Sequence, residues 1–104
     1  MPYARDQESS AQTNTSLVVA PGAGKQIVVK SMTISTAGAQ TVLVESGNST
    51  LRWEIYMPAT STETFFDPAG LFRCAGNEAL TYTTTASAAF SISVRYENVL
   101  DTGE

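Results

Sequence analysis

The sequence predicts an all-β fold, a sandwich or barrel of seven to eight short antiparallel strands. Three observations carry this. Apolar residues alternate with polar ones in short runs, most clearly in Leu51–Met57 and Ala89–Tyr96, and a period of two places them on one face of a strand. Clusters of Pro, Gly and Asn punctuate the runs at intervals of roughly 8–12 residues, the spacing of an all-β domain. No segment sustains the 3.6-residue period of a helix.

The chain opens with a polar stretch, Met1 to Thr15, that holds almost no aliphatic side chains. It cannot bury enough surface to offset its ordering entropy, so residues 1–15 are expected to be a flexible N-terminal arm. The β domain is expected over 16–100, with a short frayed tail over 101–104.

Ser16–Ala20 is the first expected strand, ended by the turn Pro21-Gly22-Ala23-Gly24. Gln26–Thr36 is long and rich in β-branched residues. Its pattern puts Val28, Lys30, Met32 and Ile34 on one face and Ile27, Val29, Ser31 and Thr33 on the other. Being apolar on both faces at its start, it should be partly covered there. Thr41–Ser46 follows, then a turn at Gly47-Asn48-Ser49. In Leu51–Met57 the pattern turns Leu51, Trp53, Ile55 and Met57 inward and Arg52, Glu54 and Tyr56 outward. Ser61–Phe66 closes at Asp67-Pro68-Ala69-Gly70, a turn in which Asp67 should make an Asx-type bond. Leu71–Cys74 is short. Ala79–Thr85 carries Leu80 and Tyr82 on one face. Ala89–Tyr96 points Phe90, Ile92, Val94 and Tyr96 inward.

Composition narrows the function. The chain has 104 residues, enough for one domain with one modest core. Lys and Arg number 6 and Asp and Glu 10, for a net charge of −4. Nucleic-acid binding needs clustered basic side chains and is not expected. No apolar run reaches the ~20 residues of a membrane span, and the N-terminus lacks the apolar stretch of a signal peptide. Synthesis in a cytoplasm and no membrane association are therefore expected. The sequence has no histidine, which removes the Ser-His-Asp and Cys-His nucleophile arrangements and the commonest metal ligand. The single cysteine, Cys74, excludes an internal disulfide and leaves two readings, an apolar filler or a bridge between subunits.

Two motifs invite chemistry and do not sustain it. Gly22-Ala23-Gly24-Lys25 lacks the first Gly and the final Ser/Thr of a phosphate-binding loop, and a strand follows it instead of a helix. Glu54 and Glu63 have no fixed separation that would make them a glycosidase pair. No enzyme activity and no cofactor are expected. The aromatic centre, Trp53, Tyr56, Phe65, Phe66 and Phe72, serves either as core or as an interface. Trp53 shares its face with aliphatic residues and reads as core. Tyr56 lies on the opposite face, and adjacent Phe65 and Phe66 cannot both point into one core.

The segment from Leu17 to Tyr96 resembles small β-sandwich virion proteins of tailed bacteriophages. The likeness rests on LVVAPGAGKQIVVKSMTIST and on GLFRCAGNEALTYTTTASAAFSISVRY, through Gly22, Gly24, Lys25, Gly70, Gly76, Asn77, Leu80 and Tyr96. It covers about four-fifths of the chain and involves turn and strand positions, not catalytic ones. The resemblance implies a jelly-roll-like antiparallel β-sandwich, often trimeric, exposed on a virion. It implies a capsid decoration, or cement, protein that binds the outer surface of the head. Its expected partners are copies of itself, as a trimer, and the major capsid protein. Its expected location is the capsid surface, after synthesis in the bacterial cytoplasm. Tyr3, Arg5 and Asp6 are the candidate shell contacts in the arm. Tyr56, Phe65 and Phe66 are the candidate subunit contacts. The alternative is a tail or fibre module that binds a host glycan, through Tyr56 or Phe66, or another virion protein.

Overall fold

Alternation of more and less buried side chains runs without interruption through residues 3–8, 40–46 and 90–94. The computed structural model describes residues 2–47 and 50–101. Nine strands form among them: β1 (Tyr3–Glu8), β2 (Thr15–Val18), β3 (Lys25–Thr36), β4 (Gln40–Ser46), β5 (Thr50–Met57), β6 (Ser61–Phe66), β7 (Phe72–Arg73), β8 (Leu80–Thr84) and β9 (Phe90–Leu100). Met1, the Asn48-Ser49 part of the expected turn and tail residues 102–104 lie outside the described residues. No described residue is helical, and no helix is long and apolar enough to cross a membrane.

The strands form two sheets. The first has the order β1-β9-β3-β6, with β7 also pairing to β3; the second has the order β2-β8-β4-β5. Every pairing is antiparallel. The pairs are nested. β1 meets β9, β2 meets β8, β3 meets β6 and β7, and β4 meets β5. The long double ribbon so formed rolls up until β9 also meets β3 and β8 meets β4. This is the connectivity of a jelly roll.

Two expectations change here. The arm is not free: residues 3–8 form β1, paired residue for residue with β9 from Tyr3↔Arg95 to Glu8↔Phe90. The segment after it is also tied down. Gln12 N–H donates to Thr84 Oγ1 at 2.9 Å, and Asn14 N–H to Thr83 Oγ1 at 3.0 Å. The strand count is therefore nine, with β1 as the addition. At the other end β9 extends to Leu100, and Asp101 N–H donates to the Gly24 carbonyl at 2.9 Å instead of fraying. The turn at 21–24 carries the chain from β2 in one sheet to β3 in the other.

The core lies between the sheets. β3 supplies Ile27, Val29, Met32 and Ile34, β9 supplies Phe90, Ile92 and Val94, and the second sheet answers with Val42, Val44, Met57, Leu80 and Tyr82. Each such side chain contributes about 1.5–3 kcal/mol on burial, before ordering costs. A β-bulge between Val29 and Ser31 resets the phase of β3. Val29 and Met32 therefore share the inner face, and Val28 lies on the outer one, contrary to strict alternation. The segment 67–74 covers this outer patch, as the double-sided start of the strand requires. Leu71 N–H donates to the Val29 carbonyl at 2.7 Å and Cys74 N–H to that of Ile27 at 2.9 Å. Gly70 has φ of 115°, and a Cβ there would stand 2.8 Å from Val28 Cγ1. Only glycine meets both demands without strain.

Aromatic rings close the two lateral edges. On one side Trp53 of β5 meets Phe65 edge-on at 5.2 Å and stacks on Phe72 at 5.9 Å between ring centres. On the other, Tyr82 packs edge-on against Phe90 at 5.4 Å. Its hydroxyl donates to the Asp6 carboxylate of β1.

Candidate functional site

The pairing registers of β1, β9, β3 and β6 align outward side chains into three rows across the first sheet. The first row is Tyr3, Arg95, Ser31 and Phe66. The second is Arg5, Ser93, Thr33 and Thr64. The third is Gln7, Ser91, Ser35 and Thr62. Small hydroxyl side chains fill the middle and bond across the strands, Thr33 to Thr64 at 3.3 Å and Ser35 to Thr62 at 2.9 Å. The two aromatics stand at opposite ends of the first row. Three strand spacings of about 4.8 Å put their backbones roughly 14 Å apart. Tyr3 is 56% exposed and Phe66 68% exposed. Beyond the third row the face opens into a shallow groove of about 640 Å³.

This face is electropositive in an acidic chain. Its twelve residues include Arg5 and Arg95 and no carboxylate. Arg95 lies over the Tyr3 ring, 5.8 Å from its centre, a cation–π contact. Arg5 donates to Gln7 Oε1 at 3.3 Å. The ion pair found among the described residues borders the first row, between Lys30 and Glu97 at 3.5 Å, with Glu97 the next outward residue of β9 after Arg95. The outer face of the second sheet has the opposite character. It presents Glu45 and Glu54 together with Leu43, Leu51 and Tyr56. Glu45 is held there by Thr83 Oγ1, which donates to it at 3.0 Å.

The six candidate contact residues separate accordingly. Tyr3, Arg5 and Phe66 converge on the electropositive face, although they come from segments 60 residues apart. Asp6 points between the sheets, where it accepts from Tyr82, and so leaves the set of exposed shell contacts. Phe65 turns inward against Trp53 and leaves the set of interface residues. Tyr56 is 66% exposed but sits on the second sheet's face, away from the others. Arg95 is the exposed residue of this face that sequence reasoning did not single out. Its outward position in β9 was the available signal.

Leu51 also moves. A bulge between Val44 and Glu45 pairs Glu45 with Leu51, so Leu51 faces out at 49% exposure. Cys74 is completely buried, and burial pushes its thiol up to about 11. It is a core filler and offers no sulfur to a neighbouring subunit. Asp67 accepts from the Ala69 N–H at 2.9 Å, the expected Asx turn. Glu54 and Glu63 are both exposed and lie on different strands and sheets.

Comparison with family models, curated proteins and solved structures found no match. The chain is therefore defined by what it carries, a jelly-roll sandwich with two unlike outer faces.

Proposed function

We propose that this chain is a structural virion protein, a capsid decoration protein that docks on the outer surface of the head and associates there with copies of itself as a trimer. One observation carries the reading. Tyr3, Arg5, Arg95 and Phe66 converge on one face of the first sheet, where they stand among hydroxyl side chains with Glu97 as a neighbouring carboxylate, in a chain of net charge −4. Exposed aromatic and Arg side chains are the residues that dominate protein interfaces. A face of Ser and Thr loses less on desolvation than one of Lys and Glu. Three such faces on one trimer act together, so weak individual contacts suffice. The likeness of Leu17–Tyr96 to phage sandwich proteins supports the same reading.

The test is the native mass of the purified protein by light scattering, alone and with empty shells of the parent virion. A mass near three chains that moves to the shell fraction is the expected result. Arg5→Glu combined with Phe66→Ser should weaken shell binding more than tenfold and leave the melting temperature unchanged. A monomer that ignores shells overturns the proposal.

The alternative, a tail or fibre module for a host glycan, draws on the same face. Two aromatics that flank a floor of hydroxyls offer stacking platforms and hydrogen-bond partners to sugar rings. A glycan array bound by the native chain and lost in Phe66→Ala, with no shell binding, would favour it.

A further inference from the structure

We infer that the cleft between β5 and β7 is an anion-binding site that takes a single carboxylate or phosphate group. This site lies apart from the face described above, and its existence does not depend on shell docking. Two arginines line it, Arg52 from the second sheet and Arg73 from the first, with Val28, Gly70 and Phe72 among the walls. Two of only six basic side chains thus share one cleft of about 410 Å³.

Arg52 has a specific need. It is the extra residue of the β5 bulge, between Leu51 paired to Glu45 and Trp53 paired to Val44. Among the described residues its buried Nε has no hydrogen-bond partner, and a buried donor of this kind is ordinarily satisfied. Among the described residues no carboxylate lies within ion-pair distance of it. Glu78 is the nearby acid that, with Arg52, acts on Cys74. It is engaged instead by Ser46 Oγ, which donates to it at 2.6 Å. Arg73 is oriented by donating to Gln26 Oε1 at 3.3 Å.

A planar guanidinium fork matches the two oxygens of a carboxylate or phosphate. The net negative charge of the chain and the size of the cleft select a small group over a polyanion. The group has two sources, free phosphate or an acidic side chain presented by a partner protein.

The experiment is a titration of the ¹⁵N-labelled full chain at fixed ionic strength, once with inorganic phosphate and once with N-acetylglutamate. The amide signals of Arg52, Gly70 and Arg73 should shift saturably with at least one probe. Arg52→Gln and Arg73→Gln should each weaken that binding about tenfold or more, and Arg52→Lys should weaken it less. Saturation by phosphate alone assigns the site to the free ion. Saturation by N-acetylglutamate assigns it to a carboxylate. If neither probe shifts these signals, or the shifts persist in the Gln variants, the inference is overturned. Should Arg52→Gln fail to fold, Arg73→Gln decides the matter.

Discussion

Tyr82 and Asp6 are 76 residues apart and joined by a hydrogen bond that ties the second sheet to the first strand of the first sheet. Tyr82 is fully buried, so its hydroxyl depends on that carboxylate. Asp6→Ala should cost about 2 kcal/mol, the penalty of stranding a buried donor. Tyr82→Phe should cost less, and the double variant should cost less than the sum of the two. Urea unfolding of the four chains measures this, and strict additivity would show that the pair does not interact.

The β1 segment should behave as part of the domain. Deleting residues 1–8 strips the partner strand from β9 and removes the acceptor of Tyr82. The exposed edge of β9 is then free to pair with other chains. The truncated protein should melt at least several degrees lower and scatter light at concentrations where the full chain stays clear. Identical melting and scattering would return the segment to the status of a loose arm.

Adjacent Phe65 and Phe66 should respond in opposite ways. Phe65→Ala removes a ring from the Trp53 cluster and should cost roughly 2–3 kcal/mol. Phe66→Ala alters a ring that is 68% exposed and should stay within about 0.5 kcal/mol. Denaturant midpoints for the two variants check the assignment of faces. Equal losses would contradict it.

Stability should decline at alkaline pH as Cys74 and then Tyr82 titrate in the unfolded chain. Burial raises the Cys74 thiol from an ordinary value of 9.0 to about 11, and Ser46 and Arg52 hold it back only in part. Above pH 9 the unfolded chain loses this proton while the folded chain keeps it. The unfolded state then binds fewer protons, so stability falls as pH rises from about 9 to about 11. Tyr82 is also raised, by burial first and then by its bond to Asp6. It adds a second loss from about pH 10. Urea midpoints at pH 7, 9 and 10 should show the decline. Cys74→Ala should flatten the part between 9 and 10, and a slope unchanged in that variant would place its origin elsewhere.

The sandwich itself was legible in the sequence wherever burial follows a period of two. Val42 and Val44, or Phe90, Ile92 and Val94, alternate without interruption, and their inward positions follow directly. What escaped was set by hydrogen bonds and irregularities. β1 turns Ala4, Asp6 and Glu8 inward, with one small aliphatic among them. Its place comes from main-chain pairing and the Tyr82 bond, which composition does not reveal. The bulges at Lys30 and Arg52 each add one residue, and each moves its neighbours to the other face. Val28 and Leu51 were misplaced for that reason. The electropositive face was legible only in fragments. Its rows join residues of four strands, and only the register shows that Tyr3, Arg95, Ser31 and Phe66 lie side by side.

The nesting of strands also governs when the fold can form. β1 has no partner until β9 exists, and β9 is the last strand of the sheet. β3 likewise waits for β9 along its whole length. On the ribosome the early strands can therefore pair only partly, and the first sheet is completed after β9 has emerged. The unpaired edge of β3 stays open through synthesis, and closing so long a loop makes folding slow.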